Sequence, residues 1–457
     1  MEIRFLGGTR TVTGSKYLVT SGARQFLVDC GLFQGLKELR LRNREPLPFE
    51  PRSLDAVLLT HAHLDHSGYL PLLVRNGFRG RIHCTTPTRD LCGILLPDSG
   101  YLQEEEAEYA NRHGHSKHHP ALPLYTRRDA QASLEYLSSV PFNRPLDLGD
   151  GVTATFLPAG HILGAAMIEL RIDGATILFS GDLGRPTDPL LPPPAIVRHA
   201  DYLVVESTYG DRRHEPVDPL VQLEEIVKRT SARGGAVLIP AFAVGRTQTL
   251  LWLLYRLRQE QRIPDVPIFV DSPMAASAID IFRRHPLGHS LSAAECDAVC
   301  DIARATESVQ ESKEVGAMRY PRIIISASGM ATGGRVLHHI KALAPDARNT
   351  IVFVGHQAVG TRGALMVSGV RTVKIHGRHV PVHADVHVLD NLSAHADHVE
   401  ILDWLHHFEA APRETFITHG EPAAALAMKE HIEGTLGWTC RVPQYGETAA
   451  LAVPLSP

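Results

Sequence analysis

No stretch of this sequence approaches the roughly 20 consecutive apolar residues that a membrane-spanning helix needs. The first residues, Met1-Glu2-Ile3-Arg4-Phe5-Leu6, alternate like a strand from the outset and lack the layout of a secretory leader. The six cysteines, Cys30, Cys84, Cys92, Cys296, Cys300 and Cys440, form no Cys-x-x-Cys pair and are expected as reduced thiols rather than a disulfide framework. A reducing cytoplasm is the expected setting. Nor is there an excess of positive charge: 46 Lys and Arg stand against 50 Asp and Glu, a formal net charge of −4. That argues against a protein that coats nucleic acid by bulk electrostatics, while leaving room for a local basic groove or a bound metal. Internal repeats and low-complexity segments are also missing. What remains is the composition of an ordinary soluble globular protein, 44% hydrophobic over 457 residues, long enough for two or three domains.

Histidine is the residue in unusual supply, at 26. A count alone proves nothing, but one cluster is informative: His61-Ala62-His63-Leu64-Asp65-His66, directly after the apolar run Ala56-Val57-Leu58-Leu59-Thr60. That run reads as a buried strand, so four metal-ligating side chains leave one strand end together. His61 and His63, two apart, point the same way on an extended backbone. Imidazole nitrogens with a carboxylate oxygen suit zinc, and the mixed set fits a catalytic site better than a closed structural one.

The first half reads as short strands with glycine-rich turns, at 2–6, 16–20, 25–29, 56–60, 81–84, 153–157, 166–171, 176–180 and 202–206. Several strands end in a polar residue, as at Asp29, His61 and Asp182, where sheet-based enzymes place their chemistry. Residues 87–115 are expected to be helical, and their acidic run Glu104-Glu105-Glu106 with Glu108 to be a solvated face. From about residue 210 the pattern alternates β and α. Strands at 236–240, 267–271, 322–326 and 350–354 and a helix near 246–260 predict a parallel sheet with right-handed crossovers. A strand-rich style returns near 385. The whole is an α/β chain: a β-rich metal domain interrupted by an inserted α/β parallel-sheet domain.

Three more candidate ligands lie in glycine-flanked turns or at strand ends: His161 in Pro158-Ala159-Gly160-His161, Asp182 in Ser180-Gly181-Asp182-Leu183-Gly184, and His419 before Gly420-Glu421. With the opening cluster they exceed what one zinc can use. Two metals sharing a carboxylate, about 3.5–4 Å apart, are the natural solution, activating water for in-line displacement at phosphorus.

Taken in order, Asp29, His61-x-His63-x-Asp65-His66, His161 and Asp182 resemble the metallo-β-lactamase superfamily. Glu206 in Glu206-Ser207-Thr208-Tyr209-Gly210, His395 in Ser393-Ala394-His395-Ala396-Asp397, and His419 in His419-Gly420-Glu421 look like the three additional motifs of its β-CASP nucleases, which include ribonuclease J and the endonuclease that cleaves pre-mRNA at its 3′ end. Residues 101–125, with Lys117-His118-His119-Pro120, look like that family's compact prokaryotic branch. The resemblance covers essentially the whole chain. It implies a metallo-β-lactamase αββα sandwich, residues 1–208 and 391–457, interrupted by a β-CASP domain, residues 209–390.

The resemblance further implies that His61, His63 and His161 hold one Zn2+, that Asp65, His66 and His419 hold a second, and that Asp182 bridges them. Asp29 would orient the histidine loop, although it also reads as a plain turn-stabilising aspartate. Asp65, Glu206 and His395 would be the catalytic groups, with Glu206 keeping His395 cationic as the general acid. Ser393, Ser328 and Arg335, the last two in the loop Ser328-Gly329-Met330-Ala331-Thr332-Gly333-Gly334-Arg335, would bind phosphate, although that loop also reads as a plain strand-to-helix turn. The implied reaction is hydrolysis of single-stranded RNA by a metal-activated hydroxide, leaving 5′-phosphate and 3′-hydroxyl ends. The histidine at 419, where DNA-acting members have an apolar residue, favours RNA. The chain stops soon after its last motif, which favours endonuclease over processive 5′-exonuclease action; a homodimer is the expected assembly. His356 stands where relatives more often have tyrosine. Two other readings compete: a thioester or lactone hydrolase on the same dizinc scaffold, which leaves Glu206 and His395 without a role, and a non-catalytic RNA-binding scaffold, which the complete ligand set disfavours.

Overall fold

The structure is a computed structural model and describes residues 1–114, 120–355, 357 and 360–453. Lys117, His118, His119 and His356 therefore lie outside the described residues. The chain divides into two compact units, residues 1–213 with 395–457, and residues 214–394.

In the first unit, β1 (Glu2–Gly7), β2 (Lys16–Ser21), β3 (Arg24–Val28), β4 (Ala56–Leu58), β5 (Arg81–Thr85) and β6 (Leu137–Val140) lie side by side in chain order, and the late strand Thr448–Ala450 completes this sheet beside β1. The second sheet contains β7 (Pro145–Asp147), β8 (Thr153–Pro158), β9 (Ala166–Ile172), β10 (Ala175–Phe179) and β11 (Tyr202–Val205), extended by Glu414–Ile417 and Cys440–Arg441. Alternate residues of both sheets, including Phe5, Val19 and Phe26 from one and Phe156, Ile168, Phe179 and Phe416 from the other, meet in a single buried cluster. Period-2 patterning puts these side chains on one face of each sheet and so makes a sandwich. The strands expected in this half are all present. The short β6 and β7 were not expected, since Leu137–Val140 and Pro145–Asp147 each offer too few apolar residues to show a period.

The helix Thr86–His113 starts where the Thr85 hydroxyl accepts from Thr88 N and stops at Gly114, whose φ of +64° suits glycine. Glu105, Glu106 and Glu108 are exposed, as a solvated face requires.

The second unit has a six-stranded, wholly parallel sheet built from β12 (Ala236–Pro240), β13 (Ile268–Val270), β14 (Arg304–Ala305), β15 (Arg322–Ser326), β16 (Thr350–Val354) and, after the hairpin β17 (Thr372–Ile375) and β18 (Arg378–Pro381), β19 (Asp385–Leu389). Its order is β14-β13-β15-β12-β16-β19. Central strands β12, β15 and β16 are buried on both faces, as a parallel sheet under helices demands. The strand near 385 belongs to this sheet, paired in parallel with β16, so the return to the first unit comes after it. Pairing across the sheet decides that membership, and no local pattern carries it.

Candidate metal centre

The site belongs to the first unit and is built where strands of both sheets end. After β4 the chain turns through His61 and His63 into the short helix Leu64–Ser67, which carries Asp65 and His66. His161 follows β8, Asp182 follows β10, Glu206 follows β11, and His419 follows Glu414–Ile417. His61, His63, His161 and Asp182 form one group of converging donors, and Asp65, His66 and His419 a second. All seven proposed ligands are thus brought together within one unit.

In the first group, His63 Nδ1 lies 3.1 Å from both His61 Nε2 and His161 Nε2, and Asp182 Oδ2 lies 3.4 and 3.5 Å from His61 and His161 Nε2. In the second, His66 Nε2 is 3.1 Å from His419 Nε2, and Asp65 Oδ2 is 3.3 Å from His419 Nε2. The other carboxylate oxygen of Asp182 faces this group, 3.2 Å from His66 Nε2, yet it is buried with no hydrogen bond of good geometry. Four ligands on a tetrahedral metal with bonds of about 2.0–2.1 Å stand about 3.3 Å apart. The donor spacing matches that edge, so these residues fit divalent metal, with Asp182 facing both groups.

Electrostatics point the same way. Burial, reinforced by the charge on His66, holds His61 well below the ordinary histidine range, and burial likewise lowers His63, which leaves both neutral as ligation requires. Burial would lower His66 too, but Asp182 and Asp29 overcome it and drive its pKa well up. Burial would raise Asp65; the hydrogen bond from His419 and the charges of His66 and His419 bring it instead to about 2. Buried carboxylates that draw protons onto a ring are carboxylates that call for a cation.

The outward nitrogens are anchored. Asp29 Oδ2 is 2.7 Å from His66 Nδ1, while Thr60 N and Oγ1 donate to Asp29 at 2.8 and 2.9 Å. Thr60 Oγ1 also lies 3.0 Å from His61 Nδ1, and Thr208 Oγ1 lies 3.1 Å from His419 Nδ1. Such partners fix tautomer and ring direction. Thr60 and Thr208 were not singled out in the sequence, although each sits inside or beside a motif. A threonine next to a ligating histidine is too common to signal a role.

Close backbone contact holds the ligand turn in place. Ser15 N donates to the Asp65 carbonyl and Cys30 N to the His66 carbonyl, at 2.8 and 2.7 Å. At Gly31 a Cβ would stand 1.6 Å from the Asp65 carbonyl oxygen, so only glycine fits.

His395 and Glu206 form a third grouping with Asp182. His395 Nδ1 is 3.0 and 3.2 Å from the two oxygens of Glu206, and its Nε2 is 4.0 Å from Asp182 Oδ2. Leu183 N and Thr208 N also donate to Glu206, at 2.6 and 3.2 Å, which holds this buried carboxylate in position. Burial alone would lower His395; the Glu206 charge and hydrogen bond outweigh it and lift the pKa to about 9.

The expected phosphate-binding residues lie in the second unit. Arg335 Nη1 is 2.8 Å from the fully buried Asp271, and its guanidinium also donates to the carbonyls of Thr306 and Glu307. Thr306, Ser312 and His339 bond the same carboxylate, a buried polar centre with no local signature in the sequence. Ser328 Oγ accepts from Thr332 N at 3.1 Å and closes its own loop. Ser393 is buried.

A sandwich with histidines and aspartates converging at its strand ends is the scaffold of a metal-dependent hydrolase. Residues 10–221 match the metallo-beta-lactamase superfamily, residues 247–366 the Beta-Casp domain, and residues 379–443 the Zn-dependent metallo-hydrolase RNA specificity domain. The chain is 37% identical to a ribonuclease of Thermus thermophilus over 94% of its own length and 95% of that protein. It is 33% identical to the transcription termination factor FttA of Pyrococcus abyssi over 99% of its length and 71% of that protein, and 31% identical to its Methanocaldococcus jannaschii namesake over 94% and 69%. A crystal structure of a protein of unknown function from Enterococcus faecalis shares the fold, with a TM-score of 0.57 at 14% identity over 98% of this chain and 99% of that one. The chain belongs to the β-CASP family of the metallo-β-lactamase superfamily.

Proposed function

We propose that this chain is a zinc-dependent ribonuclease that hydrolyses phosphodiester bonds of single-stranded RNA, most readily as an endonuclease in RNA processing or decay. The observation that carries the reading is the shared Asp182: its two oxygens face two separate histidine groups at ligand-to-ligand distances. His61, His63 and His161 would hold one Zn2+ and Asp65, His66 and His419 the other, with Asp182 common to both. Metal held by these residues would supply an activated water and neutralise charge on the scissile phosphate.

The protein's own groups do the rest. Glu206 takes the proton of His395 Nδ1 as an acceptor and its charge keeps the ring cationic, so Nε2 also carries a proton, on the side facing Asp182. Breaking the phosphorus–O3′ bond leaves an alkoxide, and His395 Nε2 is the group positioned to protonate it. Products with 5′-phosphate and 3′-hydroxyl ends follow. Asp29, Thr60 and Thr208 hold the rings without touching substrate. A cytoplasmic setting, for which six buried free cysteines are the supporting observation, and a homodimeric assembly belong to the same reading. No helix among the described residues is long and apolar enough to cross a membrane.

Purified protein with labelled single-stranded RNA, and a thioester and lactone panel in parallel, tests the proposal. RNA cleavage is the expected result; hydrolysis of the esters alone would overturn it.

A further inference from the structure

We infer that Phe242 is a stacking platform for a base of the RNA substrate, in a crevice between the loops that leave β12 and β15. The inference rests on the ribonuclease reading and adds a contact that reading does not contain.

The topology comes first. β12 and β15 are parallel neighbours, paired from Ala236 with Arg322 to Pro240 with Ser326, so their carboxyl ends lie side by side. From β12 the chain runs through the helix Arg246–Gln259 to β13, beyond β15; from β15 it runs through the helix Val336–Leu343 to β16, beyond β12. The two crossovers travel in opposite directions along the sheet. With the right-handed sense such connections take, their helices cover opposite faces. Packing agrees: Leu337, Ile340 and Leu343 share a buried cluster with Leu238 and Ile324, and the buried leucines of Arg246–Gln259 are not in it. Adjacent strands whose loops diverge to opposite faces leave a crevice at their carboxyl ends, where open α/β sheets bind ligands.

The two loops meet in an unusual way. Phe242, in the loop after β12, leaves 42% of its surface exposed. Gly329, in the loop after β15, lies so close that a Cβ there would be 3.1 Å from both Phe242 Cδ2 and Phe242 N. One side of the ring is thus braced by bare backbone. The loop beneath is fixed as well: Thr247 N and Oγ1 donate to the Phe242 carbonyl at 3.2 and 2.8 Å, and Ala241 N donates to the Ser326 carbonyl at 3.1 Å. A braced aromatic ring turned to solvent gives up burial that its neighbours obtain. It offers a flat apolar face to a base, and every base has a matching one, so the contact itself is tolerant of sequence. Only an unpaired strand presents such faces, so the platform selects single-stranded RNA.

The test measures binding of a fluorescein-labelled decaadenylate to the full-length, zinc-loaded protein, with His395→Ala as background to slow cleavage. Adding Phe242→Ala is expected to weaken binding roughly 5- to 150-fold, the range for losing one stacked base. Phe242→Trp is expected to restore binding, with its indole emission quenched as RNA is added. Unchanged affinity for Phe242→Ala, or Trp emission indifferent to saturating RNA, would overturn the inference while leaving the ribonuclease reading in place. A wild-type protein that neither binds nor cuts RNA would overturn both.

Discussion

Two carboxylates, Asp29 and Asp182, sit on opposite sides of the His66 ring and act differently. Asp29 takes Nδ1 at 2.7 Å and is itself held by Thr60; Asp182 faces Nε2 at 3.2 Å with an oxygen that lacks a hydrogen bond. In the proposed reading the first orients a ligand and the second is itself a ligand. Asp29→Asn is therefore expected to leave the fold intact and to weaken metal binding roughly 10- to 100-fold, measured by competition with a chromophoric chelator. His395 is outside both ligand groups. His395→Ala should keep nearly its full metal content, by elemental analysis, while RNA cleavage falls roughly 10²- to 10⁴-fold. His63→Ala should lose metal and activity together. Release of metal from His395→Ala would mean that the division between acid and ligands is wrong.

At the scale of elements, short backbone segments place these side chains. Gly31 presses on the Asp65 carbonyl, and Ser15 and Cys30 hydrogen-bond the same turn. Gly31→Ala is expected to push the Leu64–Ser67 helix away, with overpacking costing about 1–3 kcal/mol and lower metal occupancy, read by thermal melting and zinc analysis. How far the sequence discloses these elements depends on range. Strands such as Ala56–Leu58 and Ala236–Pro240 announce themselves by composition, and after the first of them His61, His63, Asp65 and His66 make a dense local pattern. His419 is legible as a candidate ligand from its strand-end context, but its grouping with Asp65 and His66, and the role of His395, come only by resemblance, since each is far in the chain from its partners. The Asp271 centre and the Phe242–Gly329 contact stay hidden, because they depend on which strands are neighbours. The same holds for β19, whose pairing with β16 no local period reveals.

For the whole molecule, the first unit is assembled from both ends of the chain, and the second group of converging donors spans that join: Asp65 and His66 come from one end and His419 from the other. Metal binding should then stabilise the fold by linking them. Free zinc a hundredfold above its dissociation constant contributes about 2.7 kcal/mol per site, so the melting temperature should rise with zinc and fall on chelation. Chelation should also abolish cleavage, and added zinc should restore it. The most direct measurement is cleavage of an internally labelled single-stranded RNA by the zinc-loaded protein and by Asp182→Asn, with product ends identified. The account predicts 5′-phosphate and 3′-hydroxyl ends from the wild type and none from the variant. Equal cleavage by Asp182→Asn, or products with 2′,3′-cyclic phosphate ends, would contradict it.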